Sequence, residues 1–293
     1  MDKPLVYIIM VNWNLKEVTL ECLESLHGLK YPNFRIVVVD NHSADGSPQA
    51  ISERFPDVEQ IINDENRGST AAYNVGFRRA LEANAQFAML INNDTIIDPN
   101  ALDLLVEACL PKDVGLTGPL IFYSAAPDKI WSAGSMRSRL TLDLTDDNGR
   151  NKTFMEVTER DFLTCCALLF KREVLKKVGL MDEDYFFYQE ELDYCYQVRG
   201  AGYRILLVPE AKVWHKVSLT AGGSGSPVER YWMAKNSVLY YRKNAARWQW
   251  FFIIPWRTGS AIKTTFRLAS HGKWKALRSY WVGLRDGIKF SLK

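Results

Sequence analysis

The feature that most constrains the fold is a regular alternation, over roughly the first 117 residues, of short apolar runs with segments of helical spacing. The runs that predict strands are residues 6–11, 35–39, 58–62, 87–91 and 114–117, and those that predict helices are residues 16–29, 48–55, 70–84 and 99–110. Most of these strands are largely apolar, which is typical of strands buried on both faces of a parallel sheet. We therefore predict an α/β fold with a mostly parallel sheet and helices on both faces.

The second half of the chain is less regular. Residues 120–164 predict short antiparallel strands and loops, residues 170–178 and 185–199 predict helices, and residues 204–208 predict a further strand. A Gly- and Ser-rich segment, residues 221–227, predicts a flexible connection. We expect two parts, a catalytic domain of residues 1–220 and a largely helical extension of residues 221–293.

Charge is distributed unevenly between these two parts. The chain has a net charge of +3, yet residues 228–293 hold 14 Lys and Arg against two acidic residues, together with six of the nine tryptophans. This asymmetry predicts different partners for the two parts. Five cysteines without a CxxC pair argue against a disulfide framework and a zinc site, and fit a reducing cytosol.

Neither a secretory signal nor a membrane-spanning helix is expected. The first apolar run, residues 5–11, is short and lacks a small-residue cleavage site. The longest apolar stretch, residues 248–256, falls well short of the roughly 20 residues that a membrane span requires.

Polar side chains follow several of the predicted strands, where ligands bind in parallel sheets. Asp40, at the end of the second strand, suits hydrogen bonding to a base or ribose, although the sequence around it also fits a turn and a helix cap. Asp94 follows a buried strand and suits a hard cation such as Mg²⁺ or Mn²⁺, although a loop would also begin with such residues. Arg67 precedes a predicted helix whose N-terminus favours a diphosphate, the alternative being a capped surface helix.

A cluster of carboxylates and aromatic residues follows near residue 190. Glu190, Glu191 and Asp193 lie among aromatic residues, where crowded carboxylates raise one another's pKa and suit a general base. On a helix Glu190 and Asp193 share a face while Glu191 points elsewhere, and acidic enrichment of a first helical turn is the alternative. His215, after a further strand, is either a structural histidine or a nitrogen ligand beside a carboxylate.

Together these motifs resemble one large family. Their order and spacing are similar to those of inverting GT-A-fold glycosyltransferases (glycosyltransferase family 2), and especially to a rhamnosyltransferase-like branch. The motifs are Val11-Asn-Trp-Asn14, Val39-Asp-Asn-His-Ser43, Asn66-Arg-Gly68, Asn74-Val-Gly76, Asn92-Asn-Asp94, Gly179-Leu-Met-Asp-Glu183, Gln189-Glu-Glu-Leu-Asp193 and His215. The resemblance spans about residues 4–218 and implies a Rossmann-like GT-A sheet.

The resemblance also implies roles for individual residues. It makes Asp94 the metal carboxylate, with His215 near the metal or diphosphate, and makes Glu191 the catalytic base with Glu190 as contender. It places donor binding at Asn12, Trp13, Asp40, Asn66, Arg67, Asn74, Asn93 and Asp94, and the acceptor side at Cys166 and Asp193. Two departures from the family pattern are Asn92, where a first metal carboxylate would stand, and Glu191, where the family has aspartate.

The implied reaction moves a sugar, with rhamnose as first guess, from a nucleotide diphosphate donor to a lipid-linked or oligosaccharide acceptor, with Mg²⁺ or Mn²⁺ as cofactor. A dinucleotide-dependent dehydrogenase and a nucleotidyltransferase lack support, because no glycine-rich loop follows the first strand. The alternative is a degraded sugar-nucleotide-binding or membrane scaffold, in keeping with Asn92.

The basic, aromatic extension predicts docking on an anionic membrane surface, with the protein cytoplasmic and peripheral on the inner face of the cell membrane. The alternative is that its aromatic residues pack against the catalytic domain or a second subunit of a homodimer. Nucleic acid has little support as a partner. We also expect His215 and the glycine-rich segment after it to form a mobile flap over the donor.

Overall fold

A computed structural model describes residues 3–146, 149, 153–217 and 225–292 of the chain. These residues form an α/β fold in which the strands make one mixed sheet. The strands are β1 Val6–Asn12, β2 Phe34–Asp40, β3 Glu59–Ile62, β4 Phe87–Asn92, β5 Thr95–Ile97, β6 Val114–Tyr123, β7 Ala126–Ser132, β8 Thr158–Arg160, β9 Ala167–Lys171 and β10 Arg204–His215. The helices are α1 Lys16–His27, α2 Ser47–Arg54, α3 Gly68–Glu82, α4 Ala101–Cys109, α5 Arg172–Lys177, α6 Glu190–Gly200, α7 Pro227–Asn244, α8 Trp250–Ser270 and α9 Trp274–Lys289, with a short 3₁₀ turn at Arg247–Gln249.

The sheet combines two parallel blocks. Its order is β3-β2-β1-β4-β9-β6-β10-β5, with β7 on β6 and β8 on β10. β1, β2, β3 and β4 run parallel, as do β6 and β10. Between the blocks lies β9, which is antiparallel to both β4 and β6. The first four strands therefore end at one edge of the sheet, where β9 begins.

The core lies on both faces of the sheet. On one face the apolar side chains of β1 and β4 pack against α1, α2 and α4, and on the other against α3, α6 and α7. Strands covered on both sides need apolar residues at every position, which is the pattern that the sequence showed. Leu239, Tyr240 and Tyr241 of α7 belong to the second cluster, so the first helix of the C-terminal extension shares the core of the sheet.

Most predicted elements are confirmed, and two helix starts are wrong. The helix predicted at residues 170–178 begins at Arg172, because Phe170 belongs to β9. The helix predicted at residues 185–199 begins at Glu190, because Tyr188 and Gln189 have positive φ angles of 68° and 74° that a helix does not allow. The strand predicted at residues 204–208 continues to His215.

The structure also bears on the expectations for short strands, cysteines, membrane-spanning helices and the flap. Short antiparallel strands do occur between residues 120 and 164. The five cysteines are all buried and unpaired. In the part of the chain that the structure describes, no helix is long and apolar enough to cross a membrane. Residues 218–224 of the predicted flap lie outside the described residues.

Close packing of α9 on α7 depends on two glycines. A Cβ atom at Gly283 would lie 2.3 Å from the backbone oxygen of Tyr231, and one at Gly287 would lie 2.5 Å from that of Lys235. Any side chain at these positions would push the two helices apart. A Cβ atom at Gly259 of α8, by contrast, meets no atom within 4 Å.

We expect Gly283→Leu to lower the free energy of unfolding by about 1–3 kcal/mol, the usual cost of overpacking. Gly259→Leu is the matched control, and it should leave stability unchanged or raise it by up to about 1 kcal/mol, because glycine is unfavourable inside a helix. Urea denaturation followed by tryptophan fluorescence measures both. Equal stabilities for the two variants would show that α9 does not pack on α7 as described.

Candidate active site

A cavity of about 430 Å³ opens at the edge where β1 and β4 end. Its walls come from the ends of β1, β4 and β10, the start of α3, the residues before β9, the turn before α6, and α7. The location agrees with the rule that ligands bind beyond the carboxyl ends of parallel strands. It is therefore the candidate active site.

The antiparallel strand β9 contributes its beginning to this edge. Ile91 near the end of β4 pairs with Ala167 at the start of β9, so Cys165 and Cys166 lie beside the end of β4. Both line the cavity, which is compatible with the acceptor role predicted for Cys166. Burial raises the pKa of both thiols well above the usual value, so they stay protonated.

A buried polar network forms the floor beneath the cavity. Asn12 donates through Nδ2 to Oδ2 of Asp40 at 2.7 Å, and its Oδ1 accepts from the Thr19 hydroxyl at 2.7 Å and from Nδ2 of Asn93 at 3.2 Å. Oδ1 of Asp40 accepts from the backbone N–H of Ser43 at 2.7 Å. Both Asn12 and Asp40 are fully buried. Asn12 and Asp40, both predicted to bind the donor, thus lie behind the cavity wall. The neighbouring residues Asn41 and Trp13 line the cavity.

Asp94 and His215 meet on the cavity wall. His215 is the last residue of β10, and its Nε2 lies 3.0 Å from Oδ1 of Asp94. The backbone N–H of Lys216 donates to the carbonyl oxygen of Asp94 at 2.9 Å, and the ring of Trp131 packs edge-on against His215 at 4.4 Å. Two residues 121 positions apart, predicted as one metal site, are brought together by the pairing of β5 with β10.

The pair fits a hard divalent cation that is shared with a substrate. A carboxylate oxygen and an imidazole nitrogen face the same cavity, and Nδ1 of His215 is buried without a hydrogen-bond partner among the described residues. Those residues hold no cluster of three or more potential ligands of the His, Cys, Asp or Glu type. Mg²⁺ is commonly bound by one or two carboxylates together with substrate phosphates, so two protein ligands suffice.

Glu190 and Glu191 line the cavity together, at the first two positions of α6. Glu190 is almost fully buried, and its Oε1 accepts a hydrogen bond from the Ser69 hydroxyl at 3.0 Å. The expectation that Glu191 would point away from Glu190 is wrong, because the turn before α6 presents both carboxylates to the cavity. Asp193, one turn further along α6, accepts from the Tyr185 hydroxyl and from Nδ2 of Asn244 and does not line the cavity, so its place on the acceptor side stays a prediction.

Burial disfavours the ionised form of both glutamates. Burial, and then the neighbouring charge of Glu191, raises the pKa of Glu190 well above its usual value, and burial also raises the pKa of Glu191. A hydrogen bond between the two side chains raises the pKa of Glu190 and lowers that of Glu191. Of the two carboxyl groups, Glu190 therefore has the stronger tendency to keep its proton.

The start of α3 forms another part of the wall. Asn66, Gly68 and Ser69 line the cavity, and Oδ1 of Asn66 accepts from the backbone N–H of Gly68 at 3.0 Å. Gly68 has a φ of +85° and would place a Cβ atom 2.2 Å from the backbone oxygen of Phe186, so only glycine fits. Arg67 is exposed and is not part of the wall, so its predicted contact with a diphosphate stays a prediction.

Asn74, also predicted to bind the donor, lies away from the cavity. It is buried and makes three hydrogen bonds to one segment, to the backbone N–H and carbonyl oxygen of Met181 and to the Glu183 carboxylate. Asn74 thereby ties α3 to the chain that leads into α6. The motif residues Asn74 and Met181 meet as part of the scaffold rather than of the wall.

An aromatic wall was missed by the sequence reasoning. It consists of Trp131, Phe186, Phe187, Tyr188 and Trp232, all of which line the cavity. Trp232 of α7 stacks on Phe186 with ring centroids 4.8 Å apart and an interplanar angle of 19°. The aromatic composition near residue 186 hinted at this wall, but nothing local in the sequence connects Trp131 or Trp232 with it.

Comparison with known proteins identifies a family and several relatives of this chain. A family model described as glycosyl transferase family 2 matches residues 7–179. The dTDP-rhamnosyl transferase RfbF of Shigella flexneri is 23% identical over 298 residues, covering 97% of this chain and 95% of the relative. An N-acetylglucosaminyl-diphospho-decaprenol L-rhamnosyltransferase of Mycobacterium tuberculosis is 28% identical over 209 residues, covering 64% of this chain and 68% of the relative.

Solved structures share the fold. The mannosyltransferase PcManGT from Pyrobaculum calidifontis, in complex with GDP-Man and Mn²⁺, superposes with a TM-score of 0.60 at 19% identity, over 99% of this chain and 77% of that one. At this identity the likeness shows the GT-A-like fold alone.

We expect Glu190→Gln to raise stability at neutral pH. Between the usual glutamate pKa of 4.5 and the raised pKa in the fold, the folded state keeps a proton that the unfolded state loses, so wild-type stability falls as pH rises, by up to about 1.4 kcal/mol per pH unit. Glutamine carries no such proton. The stability difference, measured by urea denaturation, should be positive at pH 7 and vanish near pH 4.

Glu107→Gln, at an exposed position on α4, is the control and should match the wild type at both pH values. A Glu190→Gln variant that is less stable than the wild type at pH 7 would mean that Glu190 is ionised in the folded protein.

Proposed function

Because the chain belongs to glycosyltransferase family 2, we propose that it moves a sugar from a nucleotide diphosphate donor to an acceptor hydroxyl with inversion at the anomeric carbon. The observation that carries the proposal is the meeting, in one cavity, of the carboxylate pair Glu190–Glu191 with the carboxylate–imidazole pair Asp94–His215. The first pair suits the acceptor and the second suits the leaving diphosphate.

Glu191 is the general base of the proposed reaction. It accepts the proton of the acceptor hydroxyl while the acceptor oxygen attacks the anomeric carbon, and the bond from that carbon to the diphosphate oxygen breaks on the opposite side. One such displacement inverts the configuration and needs no covalent enzyme intermediate. Glu190, whose pKa burial raises well above its usual value, lies beside Glu191 in the cavity and is hydrogen-bonded to it.

Asp94 and His215 are the proposed ligands of a divalent cation, Mg²⁺ or Mn²⁺. When bound, the cation would neutralise negative charge on the departing nucleoside diphosphate. Asn93 and Asn12 support this corner from below, because their side chains are hydrogen-bonded to each other at 3.2 Å. The presence of Asn92 in place of a first carboxylate leaves Asp94 as the carboxylate that contacts the cation.

Rhamnose, carried by deoxythymidine diphosphate, is the proposed donor sugar. The support is the similarity to two rhamnosyltransferases, one of them matched along nearly the whole chain. We further propose a saccharide on a lipid diphosphate as acceptor, in cell-surface polysaccharide or glycolipid assembly. The support is the name of the mycobacterial relative, which acts on a decaprenol-linked diphosphate sugar.

Such an acceptor lies at a membrane, and we propose that α8 and α9 dock the protein, as a peripheral protein, on an anionic bilayer surface. Phe251, Ile254, Ile262 and Phe266 are exposed and lie on one face of α8, at spacings of three to eight residues. The exposed fraction is 80% for Phe251 and 76% for Phe266, which is unusual for side chains of this size.

A second exposed face, on α9, combines tryptophan with arginine. Trp274, Arg278, Trp281, Arg285 and Ile288 follow one another at helical spacing, and all are exposed. Tryptophan favours the headgroup region of a bilayer, and arginine near an anionic surface contributes about 1 kcal/mol. The net charge of +12 over residues 228–293 complements an anionic lipid surface.

Part of the extension packs inward instead, as the alternative interpretation of the sequence held. Trp250 and Ile253 pack in the apolar core, whereas Trp256 is about half exposed and its Nε1 donates to Asp143 at 2.7 Å. Trp248, Phe251 and Phe252 stay exposed. The proposed lipid contacts are accordingly the outward faces of α8 and α9 rather than every aromatic residue of the extension.

The catalytic proposal is tested by separating donor binding from turnover. Among dTDP-, UDP- and GDP-sugars supplied with MnCl₂, we expect at least one, and dTDP-rhamnose first, to raise the melting temperature, because a ligand that binds only the folded state stabilises it. Glu191→Gln should retain this rise and lose about 10²–10⁴-fold in release of the nucleoside diphosphate, the usual contribution of a general base.

Asp94→Asn serves as the counterpart in the same experiment, because it should lose the Mn²⁺-dependent part of the rise. Full turnover by Glu191→Gln would transfer the role of base to another residue. Stabilisation of the wild type by a sugar nucleotide without any turnover would favour a degraded scaffold over an enzyme.

The membrane proposal is tested with Ile262→Ser combined with Phe266→Ser. Binding to vesicles of phosphatidylglycerol and phosphatidylcholine should weaken at least about tenfold, because burial of one large apolar side chain contributes about 1.5–3 kcal/mol. Co-sedimentation at low and high salt measures the effect, and vesicles of phosphatidylcholine alone should bind weakly.

Leu110→Ser combined with Met155→Ser is the matched control, since both side chains are exposed and apolar and lie outside the extension. Equal vesicle binding by the two double variants would remove α8 from the membrane contact. A wild type that ignores vesicles and forms a dimer that Ile262→Ser with Phe266→Ser dissociates would assign the same face to a second subunit.

A further inference from the structure

We propose that Asn236 of α7 is a positioning residue for the reaction, because it holds the turn that delivers Glu191 to the cavity. The inference rests on the proposed role of Glu191 as base. It assigns part of the catalytic arrangement to the C-terminal extension, beyond the stretch from β1 to β10 in which the sequence motifs lie.

The contact is direct and fully buried. Nδ2 of Asn236 donates to the backbone carbonyl oxygen of Phe187 at 2.9 Å and to that of Tyr188 at 3.0 Å, and no part of Asn236 is exposed to solvent. Its Oδ1 is buried without a hydrogen-bond partner among the described residues. The side chain is therefore used for its two N–H groups, both of which are directed at one turn.

That turn has a backbone conformation that its residues do not favour. Tyr188 and Gln189 have φ angles of 68° and 74°, in the left-handed region that side chains with a Cβ atom rarely adopt. Such conformations persist only when surrounding contacts hold them. Glu190 and Glu191 follow at once, so the path of this turn sets where both carboxylates point.

Glu191 depends on the backbone more than Glu190 does. Glu190 has the Ser69 hydroxyl as a partner at 3.0 Å, whereas the side-chain partner of Glu191 among the described residues is Glu190 itself. From the other side, the backbone N–H of Ser69 donates to the carbonyl oxygen of Phe186 at 3.0 Å. The turn is thus held between α3 and α7, and Asn236 contacts the two residues just before Gln189.

A second residue of α7 provides a matched comparison. Nη1 of Arg242 donates to the backbone carbonyl oxygens of Gly287 at 2.8 Å and Phe290 at 2.7 Å, at the end of α9. Like Asn236, Arg242 donates from one side chain on α7 to two backbone carbonyl oxygens that lie close together in the chain. These two carbonyl groups, however, lie far from α6 in the sequence. Loss of either side chain removes two hydrogen bonds, and only loss of Asn236 frees the turn.

The experiment compares Asn236→Ala with Arg242→Ala in the full-length chain. Hydrogen exchange of the peptide that spans residues 186–193 should become faster in Asn236→Ala and stay unchanged in Arg242→Ala. With the sugar nucleotide that stabilises the wild type, kcat of Asn236→Ala should fall about 10²-fold, as misplacement of a catalytic group by about 1 Å does, while donor binding is retained.

Rescue distinguishes positioning from a general loss of stability. Glycine adopts positive φ without strain, so Gln189→Gly added to Asn236→Ala should slow exchange of the peptide again and restore at least about tenfold in kcat. Asn236→Leu, which is close to asparagine in size and removes its N–H donors without burying a charge, should behave like Asn236→Ala and serves if the alanine variant does not fold.

Unchanged exchange of residues 186–193 in both Asn236 variants, or equal losses of kcat in Asn236→Ala and Arg242→Ala, would overturn the proposal. The exchange measurement needs no substrate. A wild type without turnover on any sugar nucleotide would thus contradict the proposed function, while the exchange data would still decide whether Asn236 holds the turn.

Discussion

The hydrogen bonds of the Asn12 side chain are the interactions on which the candidate site depends. Asn12 is fully buried at the end of β1 and hydrogen-bonded to Asp40 at the end of β2, to Thr19 on α1 and to Asn93 after β4. Both the donor and the acceptor atoms of this buried amide have partners, so the three neighbouring segments are held at one level. Asp94 follows Asn93 directly, and its place on the cavity wall is a consequence of this network.

Much of the fold could be predicted because burial on both faces leaves a clear trace in sequence. β1, β2 and β4 are apolar along their length, and their positions followed from that pattern alone. The start of α6 could not be predicted in the same way. Tyr188 and Gln189 adopt positive φ without being glycine, and their conformation is set by contacts with α3 and α7 rather than by local preference.

The sequence predicted best those residues of the candidate site that end a strand or closely follow one. Asp94 and His215, distant in sequence, do meet on the wall of one cavity, and Glu190 and Glu191 line it as well. Asp40 and Asn74 are hydrogen-bonded within the fold and do not line the cavity, so their donor-binding roles stay predictions. Trp131 and Trp232 could not be found at all, since the contacts that bring them to the cavity are made by distant parts of the chain.

Because α7 makes contacts on two sides, it limits where segments can be exchanged between related chains. On one side of α7, Asn236 and Trp232 contact the turn before α6. On the other side, α9 packs against α7 at Gly283 and Gly287. A recombination point at residue 220, which composition alone suggests, would pair a foreign α7 with the native turn. A chimera that exchanges α8 and α9 between relatives should therefore be joined after α7, near Ala245, so that the turn before α6 keeps the helix with which it evolved.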